Sequence, residues 1–345
     1  MGRLNEFLEG EHHEITSKFI LVDENSLKHC LPELMANVPR LAGAEIIEIE
    51  SGEENKNIEI CEQIWQVLAG YNADRRALMI NLGGGVVCDI GGFIAATYKR
   101  GIRSINVPTT LLAQVDASFG GKVGVDLGVI KNIVGTFSDP EAVFVNPGAL
   151  RTLSKRQLLC GVAEMIKHGL IKDEAYWHEL KDAEIMDMAV LGKLIERSIA
   201  LKNQVVLEDP YEQGLRKVLN FGHTIGHAVE SLSIERPEKS LMHGEAVAVG
   251  MICEAYLSHA LGNLSAEQME DITEHINDLF PHYDISGIAH HRLIELMRND
   301  KKNHDGQIRF TLLNDIGSAV IDMPIDADKI VSSLDYYRQM ERHPV

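Results

Sequence analysis

The stretch ALMINLGGGVVCDIGGFIAATYKRG (77–101) decides the fold. A mostly apolar run ends in Gly83-Gly84-Gly85, as in a parallel strand buried on both faces. A helical pattern follows at once. Strand, glycine turn and helix make up half of a βαβ unit. Glycines there let backbone N–H groups approach a pyrophosphate, and the helix N-terminus adds partial positive charge. The spacing is GGGxxxD and not GxGxxG, so a tight turn without a ligand stays open as an alternative.

Working outward, KFILVDE (18–24), EIIEIE (45–50), SINVPTT (104–110) and AVFVNP (142–147) read as further strands. NIEICEQIWQVLAG (57–70) has helical spacing and ends at Gly70, a C-cap residue. Alternation of this kind predicts an open α/β sheet. Asp23-Glu24-Asn25 follows a strand, where acceptors could meet a ribose or adenine, and Gly52–Lys56 opens a helix as a loop or capping segment. From Ser154 the patterns become long and helical, and strand signals nearly vanish until IRFTLLND (308–315). Two domains are expected, 1–152 and 153–345, with a functional cleft between them.

The chain has 345 residues, with 33 Lys+Arg against 51 Asp+Glu, a formal charge of −18. Such a balance argues against general nucleic-acid binding and against anionic membranes. No apolar run approaches the roughly 18 residues of a spanning helix, and the polar N-terminus does not read as a secretory signal. The five cysteines are scattered, without CxxC, which points to a reducing cytoplasm.

Phe221-Gly222-His223-Thr224-Ile225-Gly226-His227 sets two histidines at i and i+4, on one face if helical. His243-Gly244-Glu245 follows, and Glu164 stands upstream in GVAEMIKHG. Two histidines and a carboxylate make a three-ligand site with an open position, the form of a catalytic zinc site. The residue after His223 is threonine, so HExxH is absent and a Lewis-acid role is favoured over a protease base. The bland alternative is that helical histidines cap or pack.

The cations are unevenly spread. Residues 98–132 carry Lys99, Arg100, Arg103, Lys122 and Lys131 against Asp116 and Asp126, a window of +3 in an acidic chain. Lys167, Lys202, Arg216, Lys301 and Lys302 lie beside other motifs. Lys and Arg clamp phosphate and carboxylate, so a small anionic substrate is expected.

The runs GGGVVCDIGGFIAATYKRGI, VPTTLLAQVDASFGGKVGVD, KNIVGTF, GVAEMIKHGLI, GLRKVLNFGHTIGHAVE, HGEAVAVGM and NDKKN, in this order, resemble the 3-dehydroquinate synthase family from about residue 20 to about residue 320. The resemblance implies a fold of α/β plus all-α type. An N-terminal Rossmann-like α/β domain is followed by a C-terminal helical metal-binding domain, dehydroquinate synthase-like. It implies NAD, one divalent metal (Zn2+ or Co2+) and a homodimer. By matching motif position it implies Glu164, His223 and His243 as metal ligands, so that only the first histidine of HxxxH is a ligand. Substrate and catalytic positions would be Arg100, Asp116, Lys122, Lys131, Asn132, Lys167, Lys202, Arg216, Asn220, His227 and Lys301. NAD positions would be Asp23, Asn25, Glu53, Lys56, Gly84, Gly85, Asp89, Thr109, Thr110, Lys131, Thr152 and Leu153. Two departures from the family pattern are visible. Cys88 stands where a small residue is usual, and Gly128–Asn132 reads GVIKN in place of PLGKN. The first is expected to change helix packing, the second the turn that delivers Lys131 and Asn132.

The implied reaction converts a sugar-acid phosphate, 3-deoxy-D-arabino-heptulosonate 7-phosphate, to 3-dehydroquinate and phosphate, with NAD reduced and reoxidised in one turnover. Two other readings compete. One is a sister cyclase making a valiolone or deoxy-inosose from a substrate without the carboxylate. The other is a metal-dependent polyol dehydrogenase with net NADH turnover. A binding protein that has lost activity is a third reading, which the joint presence of Glu164, His223 and His243 disfavours.

Overall fold

The computed structural model describes residues 2–10, 15–128, 130–298 and 307–340. The chain forms two compact units, Met1–Ser154 and Lys155–Val345.

In the first unit five parallel strands run in the order β2-β1-β3-β4-β7. They are β1 (Lys18–Asp23), β2 (Glu45–Ile49), β3 (Leu78–Gly83), β4 (Arg103–Pro108) and β7 (Ala142–Val143). Every residue of β3 is buried, as its apolar run requires. Alternate residues of β1 enter two different cores. Phe19 and Leu21 pack with Met79, Ile64 and Ile90, while Ile20 and Val22 pack with Ile80, Ile105 and Leu34. Helices therefore cover both faces: α1 (Gly2–Gly10), α2 (Glu24–His29), α3 (Leu31–Asn37), α4 (Ile58–Gly70) and α5 (Gly85–Thr97). The strand expected over 142–147 shrinks to Ala142–Val143. The basic window 98–132 runs into an antiparallel hairpin, β5 (Lys122–Leu127) with β6 (Ile130–Phe137).

The second unit is helical: α6 (Lys155–Lys172), α7 (Glu174–Asp182), α8 (Met188–Glu208), α9 (His223–Ser233), α10 (His243–Ala260), α11 (Ala266–Leu279), α12 (His290–Arg298) and α13 (Ala327–Gln339). A second hairpin, β8 (Arg309–Asp315) with β9 (Ser318–Pro324), interrupts them. Helices α6 and α10 are buried along most of their length and form the centre, with α9, α11 and α13 packed on α10. No helix among the described residues is long and apolar enough to cross a membrane.

Candidate metal centre and active site

The metal-binding geometry arises where α6, α9 and α10 meet, and missing side chains let them meet. A Cβ on Gly250 of α10 would stand 1.8 Å from the Gly222 carbonyl oxygen, and one on Gly226 of α9 would stand 2.9 Å from the Ala246 oxygen. On the other side, a Cβ on Gly244 would lie 2.3 Å from Cys160 Cα of α6. Gly222 also takes a left-handed φ of 80° just before α9, which turns the chain into the helix. Its N–H donates to Glu254 Oε2 (2.6 Å), and the Ile225 N–H to Glu254 Oε1 (3.2 Å). A buried carboxylate on α10 thereby caps the start of α9.

Glu164, fully buried on α6, receives both histidines. His223 Nε2 and His243 Nε2 each lie 3.6 Å from Glu164 Oε1. Two donors about 2.1 Å from one tetrahedral zinc would sit roughly 3.4 Å apart, so the spacing fits a single ion. The far nitrogens fix the rings. His223 Nδ1 donates to the Phe221 carbonyl (3.0 Å) and His243 Nδ1 to Glu230 Oε2 (3.2 Å), aiming both Nε2 atoms at Glu164. His227 joins this group, its ring centroid 5.1 Å from that of His223, and is the most exposed of the three.

His223 and His243 titrate in opposite senses. Burial and the Lys167 ammonium hold His223 well below the usual imidazole range. Burial also lowers His243, but hydrogen bonds to Glu164 and Glu230 outweigh it and raise the group to about 10. The metal-free chain thus keeps a proton on His243 where the metal would stand. Being raised in the fold, that group adds stability in full below about pH 6.5, and the contribution is lost as pH rises through about 10. Zinc uptake at pH 7 is therefore expected to release about one proton and not two, with affinity falling about tenfold per unit as pH drops. Zinc titration in buffers of different ionisation enthalpy reads the proton count; release of two or none contradicts the assignment.

Three buried cations stand on neighbouring elements: Lys167 on α6, Lys202 on α8 and Arg216 in the 3₁₀ turn Leu215–Asn220. Lys167 Nζ pairs with Glu164 Oε2. Arg216 is held by its Nη1 donating to the Pro210 carbonyl (2.6 Å) and its N–H donating to Asp209 Oδ2 (3.0 Å). Asn220 Nδ2 donates to Glu212 Oε1 (3.2 Å). Glu245, the carboxylate of the His-Gly-Glu run, is occupied elsewhere. It takes Arg156 through both oxygens (2.5 and 2.6 Å) and caps α10 through the Met242 N–H.

In the first unit the strand order reverses between β1 and β3, so the crevice at their carboxyl ends is the ligand position of such sheets. Register places Asp23, the Gly83 turn and Thr109 along that edge. Asp23 caps α2 through the Ser26 N–H (2.7 Å), and Asn25 lies in that helix. Thr109 donates its N–H to Gly83 O (2.9 Å). A Cβ on Gly84 would press Thr110 Cγ2 at 3.1 Å, and one on Gly85 would press Ala117 at 3.3 Å. A cavity of about 130 Å³ opens here, lined among others by Thr109, Asn146, Arg151 and Thr152, and the Leu153 N–H donates to the Leu150 carbonyl (3.0 Å) at the end of the turn that carries Thr152. Lys56 is buried and gathers acceptors: Glu53 Oε1 (2.7 Å), Asn132 Oδ1 (2.8 Å) and Asp89 Oδ2 (3.4 Å). Burial lowers its affinity for the proton, yet Asp89 and Glu53 raise it on balance.

The +3 window does not act as one patch. Arg103 pairs with Glu141 (2.7 Å) and Lys99 Nζ donates to Ala73 O (2.6 Å). Arg100, at a left-handed φ of 66°, precedes β4 at the amino edge of the sheet, opposite the glycine turn. Lys122 and Lys131 stand on the hairpin, and Asp116 lies in the π-helical turn Ala113–Ala117. Cys88 is buried, its thiol pushed up to about 12 by desolvation, and accepts from Ser118 Oγ (3.3 Å). Lys301, Lys302 and Val129 lie outside the described residues.

A family model described as 3-dehydroquinate synthase N-terminal matches residues 46–160, and one described as 3-dehydroquinate synthase C-terminal matches residues 161–303. A 3-dehydroquinate synthase of Parabacteroides distasonis is 45% identical over 323 residues, covering 93% of this chain and 91% of its own. The chain belongs to the 3-dehydroquinate synthase family.

Another 3-dehydroquinate synthase, from Leptospira interrogans, is 39% identical over 93% of this chain and 88% of its own. Among solved structures, a 2-epi-5-epi-valiolone synthase from Streptomyces hygroscopicus subsp. jinggangensis, with NAD+ and Zn2+ bound, superposes with a TM-score of 0.84 at 25% identity. The match covers 98% of this chain and 95% of that one. As a member of the 3-dehydroquinate synthase family the chain has supporting residues that motif reading did not single out. Glu230 orients His243 and Glu254 caps α9. Position 230 lies seven residues after 223, on the same helix face, and that spacing was the available signal.

Proposed function

We propose that the chain is a 3-dehydroquinate synthase, a lyase that takes 3-deoxy-D-arabino-heptulosonate 7-phosphate to 3-dehydroquinate and phosphate. The observation that carries this reading is the convergence of Glu164, His223 and His243 with Lys167 paired to Glu164, and with buried Lys202 and Arg216 on elements packed against α6, in a chain of this family. The donor set, two imidazoles with fixed tautomers and one buried carboxylate, suits zinc or cobalt. Glu164, His223 and His243 would hold the metal, while Asp23, Asn25, Glu53, Lys56, Gly84, Gly85, Asp89, Thr109, Thr110, Thr152 and Leu153 would serve NAD. When bound, the metal supplies a Lewis acid and NAD a hydride acceptor that is regenerated within the turnover.

The chain's own groups do the remaining work. Lys167, Lys202, Arg216 and Asn220 would bind and orient the substrate's oxygens, and Asp116, Lys122, Lys131 and Asn132 are proposed as substrate residues on the family resemblance. His227, the exposed member of the imidazole group, would carry protons at Nδ1 or Nε2 for the reacting hydroxyls. Phosphate release with the heptulosonate phosphate, NAD and zinc, and no net NADH, is the expected result. Release only from a heptulose phosphate lacking the carboxylate would assign a sister cyclase, and stoichiometric NADH would assign a dehydrogenase.

The same reading includes a homodimer and a cytoplasmic setting. Supporting the dimer, β6 is exposed along nearly its whole length, and Leu127, Ile130, Ile133, Val134 and Phe137 present apolar side chains on the hairpin. A lone chain would leave that edge in water, a state folded proteins seldom tolerate, and a second copy covers it. Val134→Lys should shift the sedimentation coefficient from dimer to monomer; an unchanged dimer places the interface elsewhere. Supporting the cytoplasm, all five cysteines stand as thiols, four of them buried.

A further inference from the structure

Asp126 has no role in the site described so far, yet it closes a ring of contacts joining three segments. It sits on β5 where the pairing with β6 shifts register between Val125 and Leu127. Its N–H donates to the Lys56 carbonyl (2.8 Å). Its Oδ1 accepts from the Asn132 N–H (2.7 Å) and lies 3.9 Å from Lys56 Nζ. Lys56 Nζ donates in turn to Asn132 Oδ1 (2.8 Å), which completes the ring. The side chains of Lys56 and Asp126 are 4% and 12% exposed, so the Lys56 arm of the ring is shielded from water, while the contact to the Asn132 N–H lies at the surface.

The conformation held by this ring is an unusual one. Asn132 takes a φ of 53°, in the left-handed region that L-residues rarely adopt and asparagine tolerates best. A backbone N–H in that state needs an acceptor, and a short, acceptor-only carboxylate six residues back supplies it. Lys131 and Asn132 are the second and third residues of β6, and their direction follows from this turn.

We propose that Asp126 is a positioning residue for substrate binding: it sets Lys131 and Asn132 at the start of β6, and through Lys56 it ties them to the cofactor residues Glu53 and Asp89. The inference rests on the reading of Lys131 and Asn132 as substrate residues and of Lys56 as a cofactor residue.

The test compares Asp126→Ala and Asp126→Asn in the full, zinc-loaded chain. Asp126→Ala is expected to speed amide exchange at Asn132 by about tenfold or more. It should also raise KM for the heptulosonate phosphate about tenfold while NAD affinity stays within about threefold. Asp126→Asn keeps the oxygen acceptor and should restore both readings. Unchanged exchange in Asp126→Ala, equal weakening of NAD and substrate, or failure of Asp126→Asn to restore either reading overturns the proposal. Should Asp126→Ala not fold, Asp126→Glu, which keeps the charge but overshoots the N–H, carries the same comparison. A wild-type chain that releases no phosphate from this substrate refutes the functional reading, while the exchange comparison still decides the role of Asp126.

Discussion

His243→Ala should lose bound zinc and lower the rate of phosphate release by about a thousandfold or more, because Lewis-acid stabilisation of a reacting oxygen is worth several kcal/mol. Glu164→Gln should do the same. It keeps the shape of a fully buried side chain and an oxygen for the Lys167 ammonium while removing the charge, whereas Glu164→Ala would leave a cavity and no acceptor there and confound the result with unfolding. Far-ultraviolet circular dichroism should show both variants folded, and zinc per chain should be read on the same samples. An active, metal-free variant would falsify the ligand set. His227→Ala separates two arrangements, since His227 stands in the same group of imidazoles. If Glu164 is the third ligand, His227→Ala retains zinc and loses turnover. If His227 is a ligand, zinc is lost instead.

Gly250→Ala is expected to cost about 3 kcal/mol or more of stability and to scatter the metal site, because overpacking that only a backbone shift can relieve is severe. The added methyl would meet the Gly222 carbonyl oxygen at 1.8 Å, and neither side of that contact is a flexible side chain. Urea denaturation followed with zinc content should show both losses together. Gly70→Ala is the control. It ends α4 with no atom within 4 Å of the new Cβ and should leave stability unchanged or raise it by about 0.5 kcal/mol. A Gly250→Ala chain as stable as wild type would mean that α9 and α10 can part without consequence.

The fold was legible wherever one physical cause dominated a segment. Strand β3 declares itself because burial on both faces demands an apolar run, and the turn after it because only glycine leaves the strand end open. The α9 face declares itself because His223 and His227 recur at helical spacing. Hairpin β5–β6 did not, because Gly120, Gly121 and Gly124 dilute the alternation of Val123 and Val125, and adjacent Ile133 and Val134 before Gly135 show none. At Gly124 and Gly135 the two backbones press together so closely that a Cβ would stand 2.7 or 2.5 Å from a partner carbonyl. What reads as flexibility is close contact. Pairing across distance was equally silent: Glu141 takes Arg103 out of the basic window, and Arg156 takes Glu245 out of the ligand pool. Neither partner lies within a motif's length of the residue it neutralises.

The glycine contacts among α6, α9 and α10 also bear on ion size. Where helices touch main chain to main chain, the frame that carries the side chains of Glu164, His223 and His243 is fixed, and a larger ion must be met by turning those side chains. Such a turn strains the contacts His223 Nδ1 makes to Phe221 and His243 Nδ1 makes to Glu230. Gly244 and Gly250 thus leave the adjustment to the rings and their hydrogen-bond partners. Zinc and cobalt, close in radius, should exchange with little effect, while cadmium should bind at the expense of the His243–Glu230 contact.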